Sequence, residues 1–481
     1  MNQARQILKN TVVLTVSDLA DRTGNAFLAL FISRILHATG LGVYSVALAY
    51  YGLIARAGAM GASNFLVREI GKDRSRTNRY VTHLNAAGTV ASVVIMAVFL
   101  VVLPYLRYSA ELSTSMRVII LAIIPGTLKT IQRAVFIAHQ RVEFVTYTTL
   151  VSRILSVSAS LWLLTHGYGV VGLVVVFLIE QYLVVICYFY FINRFIAALH
   201  WEFEFSFALV LIREMKTFAA LSILAGLFAQ PEVILLSLVS DEAEVGFYSA
   251  ALKVVNLCHF LPQIAMTNVF PVLSHSYHLA DRKFRIIQEK SIKYLLAISL
   301  PLTAGTIAAS ESIIDLLYGP GFGPSVAALQ VLAWGIPLSA LISVFWRVLA
   351  ARNQQGLDLR ARIITIFARM GSGCLLISPL ASLGAAMSTT ASLLLNALLL
   401  ARYVNQDGTR LRLLRLGWRC ALAAVGMGVV AWSFSHQLQL WALVPLAAAL
   451  YVLLVLLLKV FSRDDFALFR KLWQPGTAER S

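Results

Sequence analysis

Apolar runs of the length of a bilayer-crossing helix recur along the whole chain, each closed by a charge cluster or by Gly/Pro turn residues. A crossing needs ~20 mostly apolar residues. Cutting at those breaks predicts fourteen helices, at about 10–34, 42–66, 81–106, 117–138, 146–165, 169–192, 217–239, 245–270, 294–317, 325–348, 361–380, 383–402, 416–434 and 440–460. The connections alternate in charge. One set, including 68–79, 194–216, 282–293, 347–362 and 402–419, holds 30 of the 40 Lys and Arg residues, whereas the opposite set holds only Arg107 and Arg117. Basic residues stay on the cytoplasmic side of a membrane, so both termini are expected there.

Composition agrees with the pattern. Of 481 residues, 59% are hydrophobic and 13% charged, against ~45–50% apolar in a soluble domain. The expected fold is an all-α polytopic membrane protein, with no room for a large soluble domain. A net charge of +17 would suggest nucleic acid in a soluble protein, but here the basic residues sit in membrane-flanking loops, so no nucleic-acid partner is expected. Cys187, Cys258, Cys374 and Cys420 lie far apart in apolar runs and read as reduced packing residues.

The chain matches itself at an offset of 204. Residues 41–48, LGVYSVAL, fall on 245–252, VGFYSAAL, and Asn64 falls on Asn268. Both copies begin a span that runs from outside to inside, which predicts two parallel six-helix lobes, residues 1–205 and 206–405, followed by two further helices and a tail in 406–481.

Eight basic residues fall inside spans: Arg22, Arg34, Arg56, Lys129, Arg133, Arg153, Lys253 and Arg369. Each costs ~2.5–3.5 kcal/mol if held centrally against lipid, so each is expected to meet a cavity, a partner or an interface. In the first span Thr11, Thr15, Asp18, Arg22 and Asn25 stack on one helix face. In the second, Ser45, Ala49, Gly52, Arg56, Ala59 and Ser63 form a groove of small side chains around one cation. In the eighth, Ser249, Lys253, Asn256, Gln263 and Thr267 share a face. Blander readings exist: Asp18 and Arg22 can pair at i,i+4, and small residues at this spacing also mark tight helix packing. Arg56 and Lys253 have no acid within a turn, which favours a cavity. Glu180 and Glu232, inside spans six and seven, could take up an ion or neutralise a neighbouring Arg; Gln230-Pro231-Glu232 joins a helix break, an amide and a carboxylate at one depth.

No P-loop, H-E-x-x-H, C-x-x-C or G-x-S-x-G pattern occurs, and His275 and His278 lie in a basic loop. No enzyme activity, cofactor or metal site is expected.

The segments Ser33-Arg34-Ile35-Leu36, Leu41-Gly42-Val43-Tyr44-Ser45 and Gly61-Ala62-Ser63-Asn64, with Leu66-Val67-Arg68-Glu69-Ile70, resemble those of the polysaccharide-unit flippases, O-antigen and exopolysaccharide translocases of the multidrug/oligosaccharidyl-lipid/polysaccharide exporter superfamily. Val245-Gly246-Phe247-Tyr248, Phe270-Pro271-Val272-Leu273-Ser274 and Leu317-Tyr318-Gly319-Pro320-Gly321-Phe322 are similar to the same family's second half, and the resemblance covers about 5–355. It implies two six-helix lobes around a central cation-lined cavity, alternating access, and a substrate of undecaprenyl pyrophosphate carrying a glycan. The location is then the bacterial inner membrane, as a monomer whose partners are membrane lipids and a polysaccharide polymerase or glycosyltransferases. It also implies that Arg22, Arg56 and Lys253 lie in cavity-lining helices and bind the pyrophosphate, with Asp18, Asn25, Glu180, Gln230, Glu232 and Asn256 as cavity polar or ion-coupling candidates. Two alternatives remain open: a multidrug cation exporter of the same superfamily, which would need an acidic cavity, and a non-transporting membrane subunit of a polysaccharide synthase.

Overall fold

The computed structural model describes the backbone of residues 2–227, 229–277, 281–406, 413–435 and 437–461, and their side chains except at 2–12, 14, 18, 227, 260, 261, 263–277, 281–283 and 413–416. Asp18, Gln263 and Thr267 therefore lie outside the described side chains, as does His275, and His278 lies outside the described residues. The described chain is helical, in the order α1 (Asn2–Gly58), α2 (Ala62–Lys72), α3 (Thr77–Val102), α4 (Ala110–Ile119), α5 (Ile123–Ala138), α6 (Glu143–Thr165), α7 (Gly169–Phe195), α8 (Phe205–Leu227), α9 (Pro231–Val239), α10 (Glu242–Tyr277), α11 (Asp281–Ala308), α12 (Ser310–Tyr318), α13 (Pro324–Ala333), α14 (Gly335–Ala351), α15 (Gln355–Asn405), α16 (Leu413–Phe434) and α17 (Leu440–Leu457).

Among the described residues ten helical stretches are long and apolar enough to cross a membrane, and α8 with α9, bent by 53° at a short break, can make an eleventh. Two of the ten exceed any bilayer. The stretches Thr15–Lys72 and Gln355–Asn405 run for 58 and 51 residues, whereas ~20 residues span ~30 Å of hydrocarbon. Each contains a non-helical residue where hydropathy separates two spans: His37 (φ 56°, ψ −162°) and Ala381 (φ 44°, ψ −120°). A Cβ on Gly384 would collide with the Leu376 carbonyl. Eight residues along a straight helix are ~12 Å apart, so the chain doubles back at Ala381. With α10, these elements account for the fourteen hydropathic segments.

Three prolines show how a missing N–H is accommodated, at a helix start or by a replacing partner. Pro231 opens α9 and Pro337 lies in the first turn of α14. Pro301 is inside α11, where its ring cannot bond the carbonyl four residues back. That carbonyl, of Ala297, instead accepts the Tyr451 hydroxyl of α17 at 2.7 Å.

The chain divides into two compact units, Met1–Ala250 and Ala251–Ser481. In the first, α2, α3, α5 and α7 close on a core that includes Phe65, Leu66, Val135, Phe136 and Tyr188. Within this unit the repeat residues 42 and 246 meet the other copy's backbone reciprocally. A Cβ on Gly42 would collide with the Glu242 carbonyl, and one on Gly246 with that of Ala38. In the second unit, α11, α14 and α15 pack around Ile292, Val344, Phe345, Val348 and Leu400, and α16 and α17 pack beside α11 through Ala297, Cys420 and Val455. The cysteines are free.

Candidate functional site

The site in the first unit begins with a break in the second predicted span. Hydropathy treats 42–66 as one helix, but α1 stops at Gly58 and α2 starts at Ala62, with Met60 and Gly61 at φ 45° and 71°. Gly61 lies against the Phe218 carbonyl of α8, where a side chain would collide. This close approach, in a left-handed conformation, requires glycine. Breaking the helix frees carbonyls near its end, and that of Arg56 accepts the Ser222 hydroxyl of α8 at 3.0 Å.

Beside the break a recess of about 450 Å³ opens among α1, α2, α5, α7 and α8. The small residues Gly52, Ala59 and Ser63 line it with Arg56, so the stripe read from the second span faces this space. Lys129 of α5 and Gln181 of α7 also line it. Lys129 Nζ donates to Gln181 Oε1 at 3.1 Å. Among the described residues no carboxylate lies within 4.0 Å of either Arg56 or Lys129.

One turn of α6 away in chemistry, Arg153 is treated quite differently. Its Nε and Nη2 donate to Asp21 Oδ1 at 3.1 and 2.9 Å, its Nη1 donates to Asn25 Oδ1 at 3.4 Å, and Glu180 Oε2 lies 3.7 Å away. The stem of Arg153 crosses α1 at Gly24, where a Cβ would come within 2.6 Å of it. Glycine between Asp21 and Asn25 thus seats the guanidinium across three helices.

The sequence candidates are distributed as follows. Arg56 lines the recess; Arg22 is exposed on α1 outside its lining. Asn25 and Glu180 join the Arg153 cluster. Gln230 is exposed at the start of α9, and Glu232 is 1% exposed in that helix's first turn, where a carboxylate is favoured by the helix dipole. Lys253 is half-buried and Asn256 exposed on α10 in the second unit. Asp21 and Gln181 carry no mark in the sequence, and Lys129 and Arg153 stand there only among the eight in-span cations. The lack of an acid within a turn, which marks Arg56, marks Lys129 equally; the partners of Arg153 lie on other helices and leave no local pattern.

The second unit has its own recess, of about 590 Å³, among α11, α12, α16 and α17. Its walls are aliphatic, with Thr306 and Tyr451 the polar exceptions among the lining residues.

Taken together these features define a multi-pass membrane protein with the fold of a transporter. The pattern of the polysaccharide biosynthesis protein family matches residues 31–327, and the chain belongs to that family. The lipid II flippase MurJ pattern matches residues 248–452. In sequence, the chain is 23% identical over 222 residues to the probable low-salt glycan biosynthesis flippase Agl15 of Haloferax volcanii, covering 46% of this chain and 47% of that protein. The match thus spans about half the length of that curated relative. In fold, it is similar to a lipid II flippase MurJ in an inward closed conformation (TM-score 0.78, 14% identity, 97% of this chain and 100% of that one). It is also similar to an inward-facing multidrug resistance MATE family transporter of the MOP superfamily (TM-score 0.66, 14% identity, 84% and 100%).

Proposed function

We propose that this protein is a flippase that carries a lipid-linked oligosaccharide, joined to undecaprenyl through pyrophosphate, from the cytoplasmic to the outer leaflet for cell-surface polysaccharide assembly. The observation that carries this reading is the recess holding Arg56 and Lys129 with no carboxylate within 4.0 Å among the described residues. A phosphate headgroup cannot shed its hydration in hydrocarbon unless other charges offset the loss. Two cations that no carboxylate contacts among the described residues provide that offset, and guanidinium and ammonium groups form strong charge-assisted bonds to phosphate oxygens. A cationic drug would instead meet repulsion there. The names of the family and of the glycan-flippase relative point the same way.

In this reading two six-helix lobes, 1–205 and 206–405, rock about the substrate in a bacterial inner membrane, with both termini cytoplasmic as the alternating loop charge requires. Arg56 and Lys129 contact the headgroup from the recess, and Arg22 and Lys253 remain the further candidates read from the sequence. Glu232, buried in the first turn of α9, is the candidate for any coupling to an ion. Removing Arg56 and Lys253 together, by Arg56→Ala and Lys253→Ala, should leave membrane insertion intact and cut surface delivery of the glycan at least about tenfold, with lipid-linked units accumulating inside the cell. Normal delivery by the double variant would refute the assignment.

A further inference from the structure

Resting on that flippase reading, we infer that Lys129 sets a preference for a diphosphate over a monophosphate linkage, and that Gln181 positions Lys129 without cancelling its charge. The argument starts from two adjacent residues of α7. Glu180 and Gln181 are both buried and differ by one amide for one carboxylate oxygen, yet they face different cations: Glu180 lies 3.7 Å from Arg153 of α6, and Gln181 accepts from Lys129 of α5 at 3.1 Å. Successive residues of a helix point ~100° apart, so this helix serves two neighbours at one depth.

The chemistry at the two positions is opposite. Glu180 and Asp21 contact the guanidinium of Arg153 and act on Lys129 only from beyond 4.0 Å. At 181 a carboxylate in the same place would make an ion pair with Lys129 and remove its charge from the recess. The amide holds the ammonium by a single hydrogen bond and leaves it positive. An ammonium has three N–H donors, so after the bond to Gln181 two remain for a ligand. Arg56, which lines the same recess, carries a guanidinium suited to two phosphate oxygens at once.

Two cations that no carboxylate contacts within 4.0 Å among the described residues match a diphosphate diester, which carries two negative charges, better than a phosphate diester, which carries one. The recess of about 450 Å³ falls within the ~300–1,000 Å³ of ordinary ligand pockets. Arg56 alone can serve a single phosphate. Lys129 is therefore the residue whose contribution depends on the second phosphate.

The test uses the full chain in nanodiscs of neutral lipid, with two short-tailed probes: farnesyl-diphospho-N-acetylglucosamine and farnesyl-phospho-N-acetylglucosamine. The unaltered protein should bind the diphospho probe about tenfold more tightly, a difference of about 1.4 kcal/mol. Lys129→Gln should erase that preference by weakening the diphospho probe about tenfold more than the monophospho probe. Gln181→Glu should do the same with Lys129 still in place, because the new carboxylate cancels it; a purely structural role for Gln181 predicts no such selectivity. Lys129→Arg, which keeps the charge, should keep the preference, and melting curves identify any variant that has not folded. Full preference in the folded Lys129→Gln protein overturns the inference and leaves the flippase reading standing. Failure of the unaltered protein to bind either probe overturns both.

Discussion

Each of the two units holds a large recess, and the two recesses are built for different solvents. The one in the first unit, about 450 Å³, has walls of small side chains, amides and hydroxyls and carries Arg56 and Lys129. The one in the second unit, about 590 Å³, is lined by Ile, Leu, Val, Met and Ala, and its one phenol, Tyr451, donates to a backbone carbonyl. Where the first recess keeps two cations out of contact with any carboxylate among the described residues, the second spends even a hydroxyl on closing a proline gap. The contrast teaches that burial alone does not mark function in a membrane protein. What marks it is a polar group whose partner has been withheld.

That contrast can be broken from either side. The largest effect on stability is expected for Arg153→Ala. It leaves Glu180, 7% exposed, and Asp21 without their guanidinium, and orphaning a buried partner costs about 3–5 kcal/mol. The protein should accumulate poorly, and Arg153→Ala combined with Glu180→Gln and Asp21→Asn should recover much of the loss, as read by yield and thermal melting. Next comes Leu443→Lys, which puts a cation into the apolar recess at a position 3% exposed. With no acid lining that recess, insertion should be disfavoured by about 2.5–3.5 kcal/mol. If Leu443→Lys were tolerated as readily as Lys129 is, the two recesses would be alike after all.

The smallest effect should come from a pair outside the spans, which supplies the scale for a wet ion pair. Glu204, in the connection before α8, accepts from the Ser206 hydroxyl and lies 2.6 Å from Arg79. These partners, Ser206 first and Arg79 second, hold its carboxyl below the usual range. A carboxyl lowered on folding stabilises the protein above its unfolded pKa, and that gain fades as pH falls through the folded value. Glu204→Gln should therefore lower the melting temperature slightly at neutral pH, and the gap to the unaltered protein should close in acid. A gap that persisted at low pH would assign the effect to packing.

Much of this architecture is legible in the sequence because membrane insertion writes it there: lipid demands apolar runs of fixed length, and orientation demands the alternating loop charge. Arg56 is legible for the same reason, since small residues at helical spacing around a lone cation need only one helix to be seen. The break at Met60–Gly61 is not, because what forces it is the Phe218 carbonyl of another helix. Nor is the difference between Arg153 and Lys129. Both are single basic residues in apolar spans, and only the residues brought alongside, Asp21 and Glu180 for one and Gln181 for the other, tell them apart.

The glycine contact between α1 and the start of α10 carries a last consequence. Position 42 touches 242 while 246 touches 38, and the same shift of 204 converts each half of the contact into the other. That reciprocity is the signature of an isologous interface, in which one surface meets its own copy about a two-fold axis. A bulkier residue at either glycine would push the same two segments apart, so the two positions act as one shared constraint.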